Sequence, residues 1–163
     1  GKYAEAQTKL EALAKTMSGS DLQKPFVEAF LAEAQIKQNK TAGVAKKLNE
    51  AIKGSSDPRL RGVAYNLLGD MSLKSGKLED AFWAYLRVDT LYNEDVEQQA
   101  KALYNLSTLF DKVKNNPARG RECIQRLRDA RFAGTQYQKL LPPEKTEADD
   151  EPKKADKKAP KKK

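Results

Sequence analysis

Residues 58–93 read PRLRGVAYNLLGDMSLKSGKLEDAFWAYLRVDTLYN, and the punctuation of this stretch decides the fold. Ser56-Asp57-Pro58 sets a capping carboxylate ahead of a proline whose missing N–H costs nothing at a first helical position, so a helix starts at Pro58 and runs to Ser75. Gly76 suits the left-handed residue that ends a helix. The next helix, 77–91, carries Ala81, Tyr85 and Val88, with Phe82 and Leu91, on one side at spacings of three and four. The product is a helical hairpin, and its apolar faces need further helices to cover them.

The rest of the chain supplies those helices by repeating this stretch. Gly76-Lys77-Leu78-Glu79-Asp80-Ala81 is echoed by Gly1-Lys2-Tyr3-Ala4-Glu5-Ala6, and Ala6, Leu10 and Leu13 keep step with Ala81, Tyr85 and Val88. An ungapped offset of 37 pairs Leu31 with Leu68, Ile36 with Leu73, Lys40 with Lys77, Val44 with Ala81 and Leu48 with Tyr85. An offset of 38 pairs Tyr65 with Leu103, Leu68 with Leu106 and Gly69 with Ser107, so the period is 37 to 39 residues. Asn116-Pro117 renews the start signal, Thr41 is a candidate cap, and polar loops at 18–21, 54–57 and 93–95 separate the units. Helices are predicted over 2–17, 22–38, 41–53, 58–75, 77–91, 95–114, 117–131 and 135–141.

Tyr65-x-x-Leu68-Gly69, then Gly76, Ala81, Tyr85 and Val88, resemble a tetratricopeptide repeat, closely over 58–93 and more loosely elsewhere. The family resemblance implies an all-α fold, a right-handed α-solenoid of antiparallel hairpins. About three full units are expected (22–53, 58–91 and 95–131), with a half unit at 1–17 and a short terminal helix at 135–141. It also implies that small residues let the two helices of a unit cross closely. Gly69, Ala32 and Ser107 fill that role on first helices, and Ala81, Val44 and Gly120 on second helices. Departures stand out: Glu28 replaces a large apolar residue, Asn93 replaces proline, and the period exceeds the common ~34. Val88-Asp89-Thr90-Leu91-Tyr92-Asn93, followed by Ala100, Ala102, Leu103 and Tyr104, resembles the long-period repeats of bacterial cell-envelope tetratricopeptide proteins. That resemblance implies a bacterial protein of the cytoplasm or cell envelope. A solenoid opening in mid-repeat would leave Tyr3, Ala6 and Leu10 half covered, so the chain reads as the C-terminal part of a larger protein.

Composition narrows the function classes. The 163 residues include 31 Lys and Arg, 23 Asp and Glu and no His, for a net charge of +8. Residues 1–111 are neutral, 112–141 carry +6 and 142–163 carry +2. Residues 142–163 contain no Leu, Ile, Val, Met or aromatic residue and pass from an acidic to a lysine-rich block, which is the composition of a disordered tail. No run approaches the ~18 apolar residues of a membrane span. The one cysteine cannot form an internal disulfide.

No catalytic, metal or cofactor site is expected. The commonest general base is missing, and Cys123 shares an apolar helix face with Ile124 and Leu127, as a small core residue does. Gly76-Lys77 lacks both the first glycine and the hydroxyl of a phosphate loop, and Glu94, Asp95 and Glu97 fall at a helix start that favours acidic groups. Two interaction surfaces remain. The resemblance places the first helix of each unit on a concave side, where Asn66, Asp70, Lys101, Tyr104 and Thr108 form a candidate groove for another protein or peptide. Glu33 and Asp70 argue against the subset of the family that grips a terminal carboxylate. Alternatively, Arg119 with Arg126 and Arg121 with Arg128, each pair seven residues apart, and the tail residues Lys161, Lys162 and Lys163 could contact nucleic acid or another anionic surface. No aromatic residue interleaves with those charges, so base stacking is unavailable. The leading reading is a non-enzymatic protein-interaction scaffold. Anionic-surface binding is the alternative.

Overall fold

The computed structural model describes residues 2–143, and every regular element among them is helical. The order is α1 (Tyr3–Thr16), α2 (Lys24–Lys37), α3 (Val44–Gly54), α4 (Pro58–Lys74), α5 (Leu78–Leu91), α6 (Val96–Lys114) and α7 (Pro117–Leu127). A 3-10 turn (Ala130–Phe132) and α8 (Gln136–Lys139) follow. Most of the predicted tail, with Lys161, Lys162 and Lys163, lies outside the described residues.

Local chemistry sets the boundaries. Asp57, Asp95, Asn116 and Thr135 each accept a backbone N–H of the helix they precede, satisfying donors that the first turn leaves orphaned. Gly76 adopts φ +71°, the left-handed geometry expected after α4. Two expectations need correction. Thr41 makes no side-chain cap for α3, which begins at Val44 after Gly43 takes φ +74°. α7 stops at Leu127 rather than at 131, because Asp129 accepts the N–H of Arg131 and starts the separate 3-10 turn.

From α1 to α7 each helix packs on the next in sequence, while α2 packs on α4, α4 on α6 and α6 on α8. The even-numbered helices therefore share one layer, with α3 bridging α2 to α4 and α5 bridging α4 to α6. One core cluster joins Ala32, Ile36, Val44, Leu48, Leu60 and Leu67 across α2, α3 and α4. A second joins Phe82, Tyr85, Val88, Leu103, Leu106, Cys123 and Leu127 across α5, α6 and α7.

Close crossings rest on small residues. A Cβ at Gly69 would lie 2.7 Å from the buried Tyr85 ring, and one at Gly120 would run into the carbonyl oxygen of Ser107. Contacts between units recur near the sequence period. Lys74 Nζ donates to the carbonyl of Ile36 at 2.7 Å, and Arg131 to that of Asn93 at 2.9 Å. The covering stops at the N-terminal end, where α1 has no buried residue and Tyr3, Leu13, Leu22 and Phe30 are exposed.

Candidate functional site

The predicted groove residues do converge, but most of them face one another. α4 packs on both α5 and α6, so the side of α4 that carries Asn66 and Asp70 meets α6 rather than solvent. Asn66 is fully buried, and its Nδ2 donates to the carbonyl and the Oε1 of Gln98 at 2.9 and 2.8 Å. Lys101 is buried as well, its ammonium 2.6 Å from Asp70 Oδ2. Tyr85 donates its hydroxyl to Asp70 Oδ1 at 2.7 Å. Burial, with the charge of Asp70 adding, holds that phenol protonated far above the ordinary tyrosine range. The expectation that Asn66 and Lys101 are open to a ligand is thereby corrected.

The other two groove residues differ from each other. Tyr104 is half-buried, its ring 5.7 Å from that of Tyr137 on α8, and Thr108 is exposed. The Tyr137 phenol is also driven upward, chiefly by burial and then by the carboxylates of Asp70, Glu33 and Glu97.

The arginine row is similarly divided. Arg126 forms a bidentate pair with Asp89, at 2.8 and 2.7 Å, and Gln99 donates to the same carboxylate at 3.0 Å. Asp89 and Gln99 are buried, so the Arg126 guanidinium balances an interior charge and is a structural group. Arg119 pairs with Glu122 at the surface, Arg128 donates to the carbonyl of Pro142 at 2.7 Å, and Arg121 is exposed. The Asp89–Arg126 pair, 37 residues apart, was missed in the sequence, although the repeat period could have pointed to it.

Cys123 is buried, and burial pushes its thiol up to about 11, which leaves it neutral and a poor nucleophile near pH 7. Asp95 caps α6 and Glu97 accepts the N–H of Gln136, so these carboxylates serve the backbone. Among the described residues no cluster of His, Cys, Asp or Glu could hold a metal, and no helix is long and apolar enough to cross a membrane.

An open feature lies elsewhere. A cleft of about 540 Å³ separates α1, α2 and α3, with Ala29, Ala32, Leu48 and Ala51 in its wall and Glu28 and Glu50 beside them. Sequence reading flagged Glu28 as out of pattern without inferring an opening. Leu13, Leu22 and Phe30, all exposed, belong to the same end of the molecule. No protein-family model, curated protein or solved structure matches this chain.

Proposed function

We propose that the chain is a non-enzymatic protein-interaction scaffold, built as a tetratricopeptide-like α-solenoid whose partner engages its N-terminal end. The solenoid reading draws support from the shared layer of α2, α4 and α6 and from contacts recurring every 37 to 38 residues, as in Arg126 to Asp89 and Lys74 to Ile36. The observation that carries the function is the open cleft at the N-terminal end together with exposed large apolar side chains on α1, α2 and the loop between them, although Leu78, Trp83 and Leu91 on α5 and Leu140 are exposed as well. Leu13, Leu22 and Phe30 are 47%, 86% and 45% exposed on the elements, α1, α2 and the loop between them, that border the open cleft. Apolar surface gathered in one place marks an interaction site far better than the same residues scattered singly. The central groove is a weaker candidate, since Asp70 and Lys101 satisfy each other.

Panning a random peptide display library on the full chain tests this reading. Binders are expected, and a Leu13→Ser/Phe30→Ser variant should lose at least about tenfold in affinity for them, or 1.4 kcal/mol. A panning that yields no binder ends the scaffold reading. Binders indifferent to the double variant move the site away from this end.

A further inference from the structure

We infer that α3 is a hinged flap, which rolls as one body about a line along α4 and so widens or closes the cleft that faces α2. This goes beyond the scaffold reading, because it concerns a motion of the chain alone and stands whether or not a partner engages this end.

The attachment of α3 differs from that of the other long helices. Among the described residues its side-chain hydrogen bond and its ion pair are both internal: Asn49 Nδ2 donates to the carbonyl of Ala45 at 2.8 Å, and Lys46 Nζ lies 3.9 Å from Glu50. Elsewhere such bonds run between helices. Gln7 ties α1 to Gln38 at the end of α2, Lys74 ties α4 to α2, Asp70 ties α4 to α5 and α6, and Asp89 ties α5 to α6 and α7. Burial holds α3 lightly too. Its buried side chains are Val44 and Leu48, both in its first half, while Ile52 is partly covered and Lys53 and Gly54 are exposed.

What fastens this segment lies just outside the helix, at both ends, and on one neighbour. Before α3, Lys74 Nζ of α4 donates to the carbonyl of Ile36 at 2.7 Å and to Asn39 Oδ1 at 3.2 Å. After it, Arg61 Nε of α4 donates to the carbonyl of Ser55 at 2.7 Å. At 1.5 Å per residue these anchors stand about 20 Å apart along α4, enough to span a helix about 16 Å long. Each end of α3 also has a glycine. Gly43 takes φ +74°, and Gly54 has open space where a Cβ would stand. A body fastened at two points keeps the rotation about the line that joins them.

The neighbours of α3 show where that rotation leads. α3 packs more extensively on α4 than on α2, and the cleft of about 540 Å³ lies on the α2 side. Ala29 and Ala32 on one wall and Ala51 and Gly54 on the other are small, so the walls are able to approach. α2 is the fixed side. It is held to α4 by Lys74 at its end and, near its start, by Phe26, whose ring centroid lies 5.9 Å from the Arg59 guanidinium. Few buried contacts and no polar tie to a neighbouring helix are the marks of an element that moves locally. Rolled outward, α3 bares the apolar wall of α2; rolled inward, it seals it.

The test measures distances between paired spin labels on the full chain, where the native Cys123 is buried and stays unlabelled. Gln23→Cys/Lys53→Cys reports across the open end of α2 and α3, and Arg59→Cys/Thr90→Cys across α4 and α5. The first distance distribution should be at least about twice as wide as the second. Lys74→Met, which frees the anchor before the flap, should widen it further, and Gly54→Ala, which stiffens the pivot after it, should narrow it. Distributions of equal width overturn the proposal, as does a width that neither substitution changes. A broad distribution for Gln23→Cys/Arg59→Cys would also overturn it, by placing the motion in α2.

Discussion

The α4–α5 hairpin and the α2–α3 hairpin are built from aligned residues, yet the first is filled and the second is open. In the first, Tyr85 lies against Gly69 and anchors its hydroxyl on Asp70, which in turn holds Lys101 of α6. Tyr65 and Tyr92 stack at the far end. In the second, Leu48 meets Ala32 within one apolar cluster, and Glu28 and Ser55 border a cleft instead of forming a stack. Alignment along the chain therefore does not fix how tightly a hairpin closes, since α4 and α5 pack against each other far more extensively than α2 and α3 do. What large side chains add is density and a polar anchor between units.

Four measurements press on that contrast. Tyr85→Ala should be the most costly change, at about 3–5 kcal/mol, because it opens a cavity and strips a hydrogen bond from Asp70. Leu48→Ala should cost less, about 2–3 kcal/mol, since it borders a space already open. Equal losses in chemical denaturation would mean that the two hairpins are packed alike.

Arg126→Ala tests whether the filled half depends on polar contacts between units. Removing the guanidinium leaves the buried Asp89 with Gln99 alone, at an expected cost of about 1–3 kcal/mol. Arg121→Ala, an exposed neighbour, should change stability by less than about 0.5 kcal/mol.

Alkaline pH should weaken the C-terminal half first. The Cys123 thiol is pushed from 9.0 up to about 11 by burial, with Asp89 adding and Arg126 opposing. The folded protein thus holds the proton more tightly than the unfolded chain. This contribution is complete below pH 9 and is lost as pH rises to about 11, by roughly 2 kcal/mol. Cys123→Ala should flatten that part of the stability profile. A profile unchanged by the substitution would place the alkaline sensitivity elsewhere.

The smallest effect leaves global stability untouched. Amides of α1, which has no buried residue, should exchange fastest among the long helices α1 to α7, on the order of a hundredfold faster than those of α4 and α5. Protection equal to that of α4 would show that the N-terminal end is better covered than its exposed Leu13 and Tyr3 imply.

Much of the architecture was legible. Asp57-Pro58, Gly76, Asp95 and Asn116-Pro117 act through bonds to their own neighbours, so capping chemistry marked these boundaries to within a residue or two. Spacing also revealed the small residues at the crossings, Gly69 and Gly120 among them. Thr41 misled because a left-handed Gly43 offered the chain a later start. The candidate site was far less legible. A polar residue on a helix reads as outward until a second helix is known to lie over it, and α6 covers Asn66 while contributing Lys101.

The sequence by itself determined that the described residues are helical, where the capped helices α4, α6 and α7 begin, and that the chain repeats every 37 to 39 residues, since each property is carried by neighbours along the chain. Only the tertiary structure decided which charges are spent internally, as Asp70 with Lys101 and Asp89 with Arg126 are, and that Glu28 borders an opening. Pairing and voids are relations between residues roughly 20 to 40 positions apart. Their energies depend on distance and desolvation, quantities that exist only once the helices are packed.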